Sequence, residues 1–215
     1  MTGDRQTADT ARPAASERLH TPAALNNREP ILDVLRTLVT PGQKVLEIGS
    51  GTGVHIAHFA AGMPQVRWRP SDPDGAMRAS IAAWCAGLEP SVDAPLDLDV
   101  RNAGWWQQVE GTVDVVLSVN MLHVAPPDAF AGLASGSARL LASEGVLALY
   151  GPFRFNGQCC GTGNERFDAM LRRQNPAWGL RDVNDVAAQG AAAGFAMERV
   201  VEMPANNHML LLRRR

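Results

Sequence analysis

Residues 44 to 53, Lys-Val-Leu-Glu-Ile-Gly-Ser-Gly-Thr-Gly, constrain the fold more than any other stretch of the chain. Val45, Leu46 and Ile48 form a short aliphatic run of the kind buried on both faces of a parallel sheet. Gly49, Gly51 and Gly53 follow at every second position, where positive φ and close backbone approach require residues without a side chain. A helix beginning near Thr52 then carries Val54, Ile56, Ala57 and Ala60 or Ala61 inward, and its unpaired N–H groups point toward whatever the loop holds. Strand, glycine loop and helix in that order open a βαβ unit whose ligand touches main chain.

Three kinds of glycine-rich loop are separated by spacing. A phosphate-binding P-loop needs Gly-Lys-Ser or Gly-Lys-Thr, whereas the one lysine, Lys44, precedes the strand. A dinucleotide fingerprint needs its third glycine where Val54 stands, with Gly53 one residue too early. The pattern Glu-x-Gly-x-Gly-x-Gly resembles motif I of class I S-adenosylmethionine-dependent methyltransferases. That resemblance implies a cofactor held by Glu47, Gly49, Ser50, Gly51 and Gly53, with the glycines beneath its methionine part. The plainer alternative is a strand-to-helix turn that binds nothing.

Composition agrees with an enzyme of this size. The 215 residues are 46% hydrophobic and contain no apolar run near the ~18 residues of a membrane span, so one domain over residues 19–215 is expected, after a mobile tail of residues 1–18. The tail has no apolar core of a secretory signal. A net charge of −2 argues against a broad nucleic-acid-binding surface, and membrane association is not expected either. Cys85, Cys159 and Cys160 give neither a disulfide framework nor metal-ligand spacing. A cytoplasmic protein without a metal, monomeric or homodimeric, is the expectation.

Alternating elements specify an α/β architecture. A helix from about Arg28 to Val39 leads into strand one, and the helix at about 53–61 into strand two, Val66 to Arg69. A helix at about 74–86 precedes strand three, Pro95 to Asp99; strand four is Val113 to Val119, and a helix from Asp128 to Leu141 precedes strand five, Val146 to Tyr150. Helices near 165–173 and 183–193 follow, then an antiparallel hairpin of Phe195 to Glu202 and Met209 to Arg213.

Such a sheet binds its ligand outside the carboxyl ends of its strands, so the residues after each strand are the site candidates. Asp72, about twenty residues beyond the glycines, suits both ribose hydroxyls, with helix capping as its other reading, a duty that Asp74 can serve alone. Asp99 suits the adenine amine, with Val100 as an apolar wall; Trp105 and Trp106 are better placed in the core. Strand four runs out through Asn120, Met121 and His123, beside both cofactor and acceptor. His123 is the natural general base, or else a hydrogen-bonded structural residue. Tyr150, Phe153 and Arg154 would set an aromatic wall and a cation beside the methyl position, or else a core edge with a solvated arginine.

Further segments extend the likeness. Asn27-Arg28-Glu29-Pro30-Ile31-Leu32, the glycine loop, Pro70-Ser71-Asp72-Pro73-Asp74, Asn120-Met121-Leu122-His123, Leu149-Tyr150-Gly151-Pro152-Phe153, Trp178-Gly179-Leu180-Arg181-Asp182 and Glu202-Met203-Pro204-Ala205-Asn206-Asn207 together resemble the methyltransferase-like family that includes methyltransferase-like protein 26. The resemblance covers residues 26–213. It implies a Rossmann-like class I methyltransferase fold, a seven-stranded, mostly parallel sheet of order 3-2-1-4-5-7-6, and S-adenosylmethionine binding. It brings no acceptor. It also directs attention to Arg28, against the cofactor carboxylate or an anionic acceptor, and to Asn206 and Asn207 over the acceptor site, where a plain hairpin turn is the alternative.

The expected function is methyl transfer from S-adenosylmethionine to O, N or activated carbon of a small-molecule acceptor by in-line displacement, with His123 and Tyr150 as catalytic candidates. Two alternatives stay open: a cofactor-binding protein without turnover, and other chemistry on the same fold.

Overall fold

A computed structural model describes residues 18–89 and 91–215. The expected tail lies outside them except for Arg18. Helix α1 (Pro22–Leu38) precedes β1 (Lys44–Ile48), α2 (Val54–Gly62), β2 (Arg67–Ser71) and α3 (Gly75–Cys85). After a short 3-10 turn at Trp105–Gln108 come β3 (Val113–Val119), α4 (Asp128–Leu140), β4 (Leu141–Gly151), β5 (Phe153–Phe155) and β6 (Gln158–Cys159). The chain ends with α5 (Gly161–Gln174), β7 (Arg181–Asp182), α6 (Val183–Ala192), β8 (Phe195–Met203) and β9 (Asn207–Arg214).

The main sheet has six strands in the order β2-β1-β3-β4-β9-β8. Strands β2, β1, β3 and β4 run parallel, and β9 pairs antiparallel with both β4 and β8. Both faces are covered, as the aliphatic strands require. Val45, Val115, Leu117 and Ala148 meet α1 and α2 through Leu35, Ile56 and Phe59; Leu46, Val116, Leu147 and Leu149 meet α4 and α6 through Leu133 and Val186. Chain order reverses between β1 and β3, which puts the switch point at the carboxyl ends of those two strands.

The expected seven-stranded sheet is corrected to six. Where strand three was expected, the chain runs beside β2 and makes only two isolated parallel bridges, Trp68↔Val92 and Ser71↔Leu96. Three steps along β2 match four along this segment, so one residue is left over. Pro70 and Pro95 have no N–H to donate, and the ladder stays broken between the bridges. A second, three-stranded sheet of order β6-β5-β7 was not foreseen; its hairpin turns on Asn156 and Gly157, both at positive φ. Among the described residues no helix is long and apolar enough to cross a membrane, and no group of three His, Cys, Asp or Glu could hold a metal.

Candidate cofactor and acceptor site

All three loop glycines have positive φ, for different reasons. A Cβ on Gly53 would lie 2.7 Å from the Ile81 Cα, so this glycine lets α2 pack on α3; one on Gly49 would lie 3.1 Å from Met121 Cγ. A Cβ on Gly51 would meet nothing within 4 Å. Open space over a left-handed glycine is where a ligand can reach main chain.

The loop is pinned from β2. The Ser50 N–H donates to the Ser71 carbonyl at 2.8 Å, and the Ser71 hydroxyl donates to the Glu47 carbonyl at 2.7 Å. Asp72, buried, accepts the Gly51 N–H on Oδ2 at 2.9 Å and the Asp74 N–H on Oδ1 at 3.0 Å. Each oxygen keeps a second lone pair for a hydroxyl. Asp74 alone caps α3, accepting from Ala76 and Met77. Glu47 is fully buried, and its Oε2 has no partner among the described residues. Burial raises this carboxyl from 4.5 to about 7, and the nearby charge of Asp72 acts in the same direction.

Three cavities meet around this loop. A small one of about 140 Å³ is lined by Glu47, Gly51, His55 and Asn120. A second of about 330 Å³ shares Gly49 with it and is walled by Leu98, Val100, Met121 and Trp178, with Asp99 among its lining residues. A bidentate contact with Arg101, 2.6–3.2 Å, holds the Asp99 carboxyl below its ordinary range. The third, about 430 Å³, shares Asn120, Thr21 and Ala23 with the first and is lined by His123, Tyr150, Asn164 and Phe167. Together they form one trough across the strand ends. A larger hollow of about 580 Å³ near Gly42, Arg67 and Leu88 lies at the opposite edge, where β1 and β2 begin.

The centre of the trough is built by β3 and β4. Asn120 leaves β3 at φ +59°, its N–H donating to the Tyr150 carbonyl at 2.8 Å. Gly151 lies beside both groups, since a Cβ there would be in ordinary contact with His123 Nδ1 at 3.5 Å and Asn120 Oδ1 at 3.6 Å. His123 is buried with its ring edge-on to Phe167 at 5.3 Å, and burial, aided by the charge of Arg181, lowers it to about 4. It is a neutral imidazole at pH 7. Burial raises the Tyr150 hydroxyl, partly offset by a hydrogen bond with Asn27.

Other expected residues stand apart from the trough. Phe153 packs in the core on the α4 side of the sheet, and Arg154 turns to the buried Asp168 beside a separate polar cavity with Arg172 and Arg181. Arg28 is part-exposed and lines none of the three cavities. Asn206 gives its carbonyl to Asn164, whereas Asn207 lines the third cavity. Trp105 is buried, donating to the Gly132 carbonyl, and Trp106 lies under Arg139. No role was expected of Asn27, His55, Asn164 or Phe167, which the structure brings to these cavities. His55 Nε2 lies 2.7 Å from Asn27 Oδ1, and burial lowers it to about 4. Its place in the first turn after the glycines was a usable signal.

A family model described as a protein of unknown function (DUF938) matches residues 18–214. The chain belongs to that family. Its fold is shared with solved methyltransferases. An O-methyltransferase family protein from Burkholderia thailandensis is 18% identical with a TM-score of 0.73 over 86% of this chain and 55% of its own. The mitomycin 7-O-methyltransferase MmcR is 16% identical with a TM-score of 0.75, over 90% of this chain and 54% of its own. An O-methyltransferase family 2 protein from Planctomyces limnophilus, in complex with apigenin, is 16% identical with a TM-score of 0.75, over 90% and 58%. The chain thus spans little more than half the length of the structures it matches, and at these identities the likeness is one of fold.

Proposed function

We propose that the chain is an S-adenosylmethionine-dependent methyltransferase acting on a small molecule at O, N or activated carbon, akin to the family that includes methyltransferase-like protein 26. The observation that carries this reading is the buried Glu47 carboxyl, whose Oε2 has no partner among the described residues, beside an open left-handed glycine, in a trough that continues into a second and a larger cavity. A carboxylate left without a partner is expensive to bury, and an ammonium group would supply one. The methionine end of the cofactor has that group. The second lone pairs of Asp72 suit ribose hydroxyls, and the slot between Leu98 and Met121, with Asp99 beside it, suits adenine. The O-methyltransferase names of the fold neighbours support the same reading, and free cysteines support a cytoplasmic location.

When bound, S-adenosylmethionine supplies an electrophilic methyl group on a sulfonium. The chain's own contribution is placement in the cavity, aligning the acceptor lone pair for in-line attack. A hydroxyl or N–H acceptor exchanges its hydrogen for methyl, and the hydrogen leaves as a proton. Neutral His123 can accept a hydrogen bond from the acceptor's O–H or N–H, the proton itself leaving to solvent because burial disfavours the imidazolium, and Asn120 and Tyr150 hold the acceptor at the junction.

Calorimetric titration with S-adenosylmethionine and, separately, NAD tests the reading. Micromolar binding of the first and none of the second are expected, and Asp72→Ala should weaken binding by about 1–3 kcal/mol. No binding of S-adenosylmethionine overturns the reading; binding without methyl transfer to any acceptor replaces it with a non-catalytic cofactor binder.

A further inference from the structure

Resting on that function, we infer that the acceptor is an uncharged aromatic hydrogen-bond donor, such as a phenol, a hydroxylated heterocycle or an aromatic amide, and that the site rejects the matching carboxylate or phosphate. The acceptor cavity is about 430 Å³, within the ~300–1,000 Å³ of small-ligand sites. None of the residues that line it carries a formal charge once His123 is neutral.

Arg28, next to the lining Asn27, lines none of the three cavities, and three further arginines on the neighbouring elements are committed elsewhere. Arg181 donates to the carbonyls of Leu122, Ala125 and Ala177, and Arg154 and Arg172 both bind Asp168. An anion entering the cavity would shed water and gain no counter-charge from its lining.

Counting donors and acceptors sharpens the choice. Asn27 is taken by His55 and Tyr150. The Asn164 Nδ2 donates to the Asn206 carbonyl, and the Asn207 Nδ2 to that of Pro204. Both side chains therefore keep their Oδ1 acceptors for a ligand. Those lone pairs match an O–H or N–H donor, whereas a carboxylate or phosphate, which brings acceptors only, leaves them unmet and finds only neutral donors, among them those of Asn26, Asn120, His123 and Tyr150. A site built to bond a donor discriminates strongly against an analogue lacking it. The rings of His123 and Phe167, in edge-on contact with each other, make part of the wall aromatic, which suits a flat ligand.

The test uses matched benzamide and benzoate fragments, led by 3,4-dihydroxybenzamide and 3,4-dihydroxybenzoate. Binding is read by ligand-observed NMR and calorimetry, with and without S-adenosylhomocysteine, on the full chain and on Phe167→Ala to identify cavity-dependent binding. Amides should bind at least ten-fold tighter than their acids. Exposed Asn26, on α1 at the rim, provides the converse: Asn26→Arg should narrow that ratio to within about three-fold by drawing in the acids. Acids binding as tightly as amides in the unaltered chain, or no fragment whose binding depends on Phe167, overturns the inference. A parallel titration with S-adenosylmethionine keeps the two readings apart: cofactor binding with acids preferred removes the acceptor class alone, whereas amide preference without cofactor binding removes the methyltransferase reading.

Discussion

Gly51 and Gly53 are equivalent in the motif and serve different ends in the fold. Gly53 is hemmed in by a backbone atom, since its Cβ would lie 2.7 Å from the Ile81 Cα, and backbone cannot swing aside as a side-chain tip can. Gly53→Ala therefore adds overpacking to the cost of a left-handed L-residue, about 2–4 kcal/mol in all. Gly51→Ala meets no neighbour and costs only the left-handed conformation, about 1–2 kcal/mol. Its methyl group, however, projects into the space assigned to the cofactor. Denaturant unfolding and calorimetry on both variants should separate these effects: Gly53→Ala loses mainly stability, Gly51→Ala mainly S-adenosylmethionine affinity. Equal proportional losses in the two variants would remove the distinction.

Elements with a clear period and firm stops were legible. β3 occupies the expected 113–119, and α4 begins at the expected Asp128. Strand ends were legible too, which is why Asn120, His123 and Tyr150 were named as candidates, and Glu47 was named through the glycine motif; all four line the trough. Asn164 and Phe167 were not, because α5 meets the site only through tertiary packing, and an amphipathic period does not say which cavity a helix borders. Phe153 and Arg154 show the same limit, since alternation along β5 sends successive side chains to opposite sides whatever chemistry they carry. The third strand failed for a local reason that makes a prediction. The Asp93 and Leu96 N–H groups donate to the Trp68 and Pro70 carbonyls, whereas the leftover residue and Pro95 between them make no rung. Hydrogen exchange should find Asp93 and Leu96 protected, three residues apart, where the two-residue alternation of a regular edge strand would protect Asp93 and Asp97; protection of Asp97 with Leu96 exchanging at loop-like rates would mean a continuous seventh strand.

Glu47, His55 and His123 bring buried titrations of opposite sign to one trough, and their sum sets how the whole molecule responds to pH. The two histidines are lowered to about 4, so between there and 6.5 the unfolded chain takes up protons that the fold refuses. Their contribution is complete above 6.5 and lost as pH falls; His208, also lowered by burial, adds to the same slope. Glu47, raised to about 7, does the reverse: the fold keeps a proton that the unfolded chain releases above 4.5, so stability is complete below 4.5 and lost as pH rises to 7. In the overlap the histidines outnumber the glutamate, and stability should climb by at least about 1.4 kcal/mol per pH unit for the net proton, to a maximum near pH 6.5. Glu47→Gln should remove the decline beyond that point and steepen the climb below it. Ligand binding exposes the same proton, because an ammonium group beside Glu47 favours its ionised form. Titrations with S-adenosylmethionine at pH 6.5 in phosphate and in imidazole should then differ in apparent enthalpy by the heat of ionising the buffer, reporting release of up to one proton, and Glu47→Gln should abolish the difference. An enthalpy independent of buffer in the unaltered chain would mean that the cofactor does not pair with Glu47.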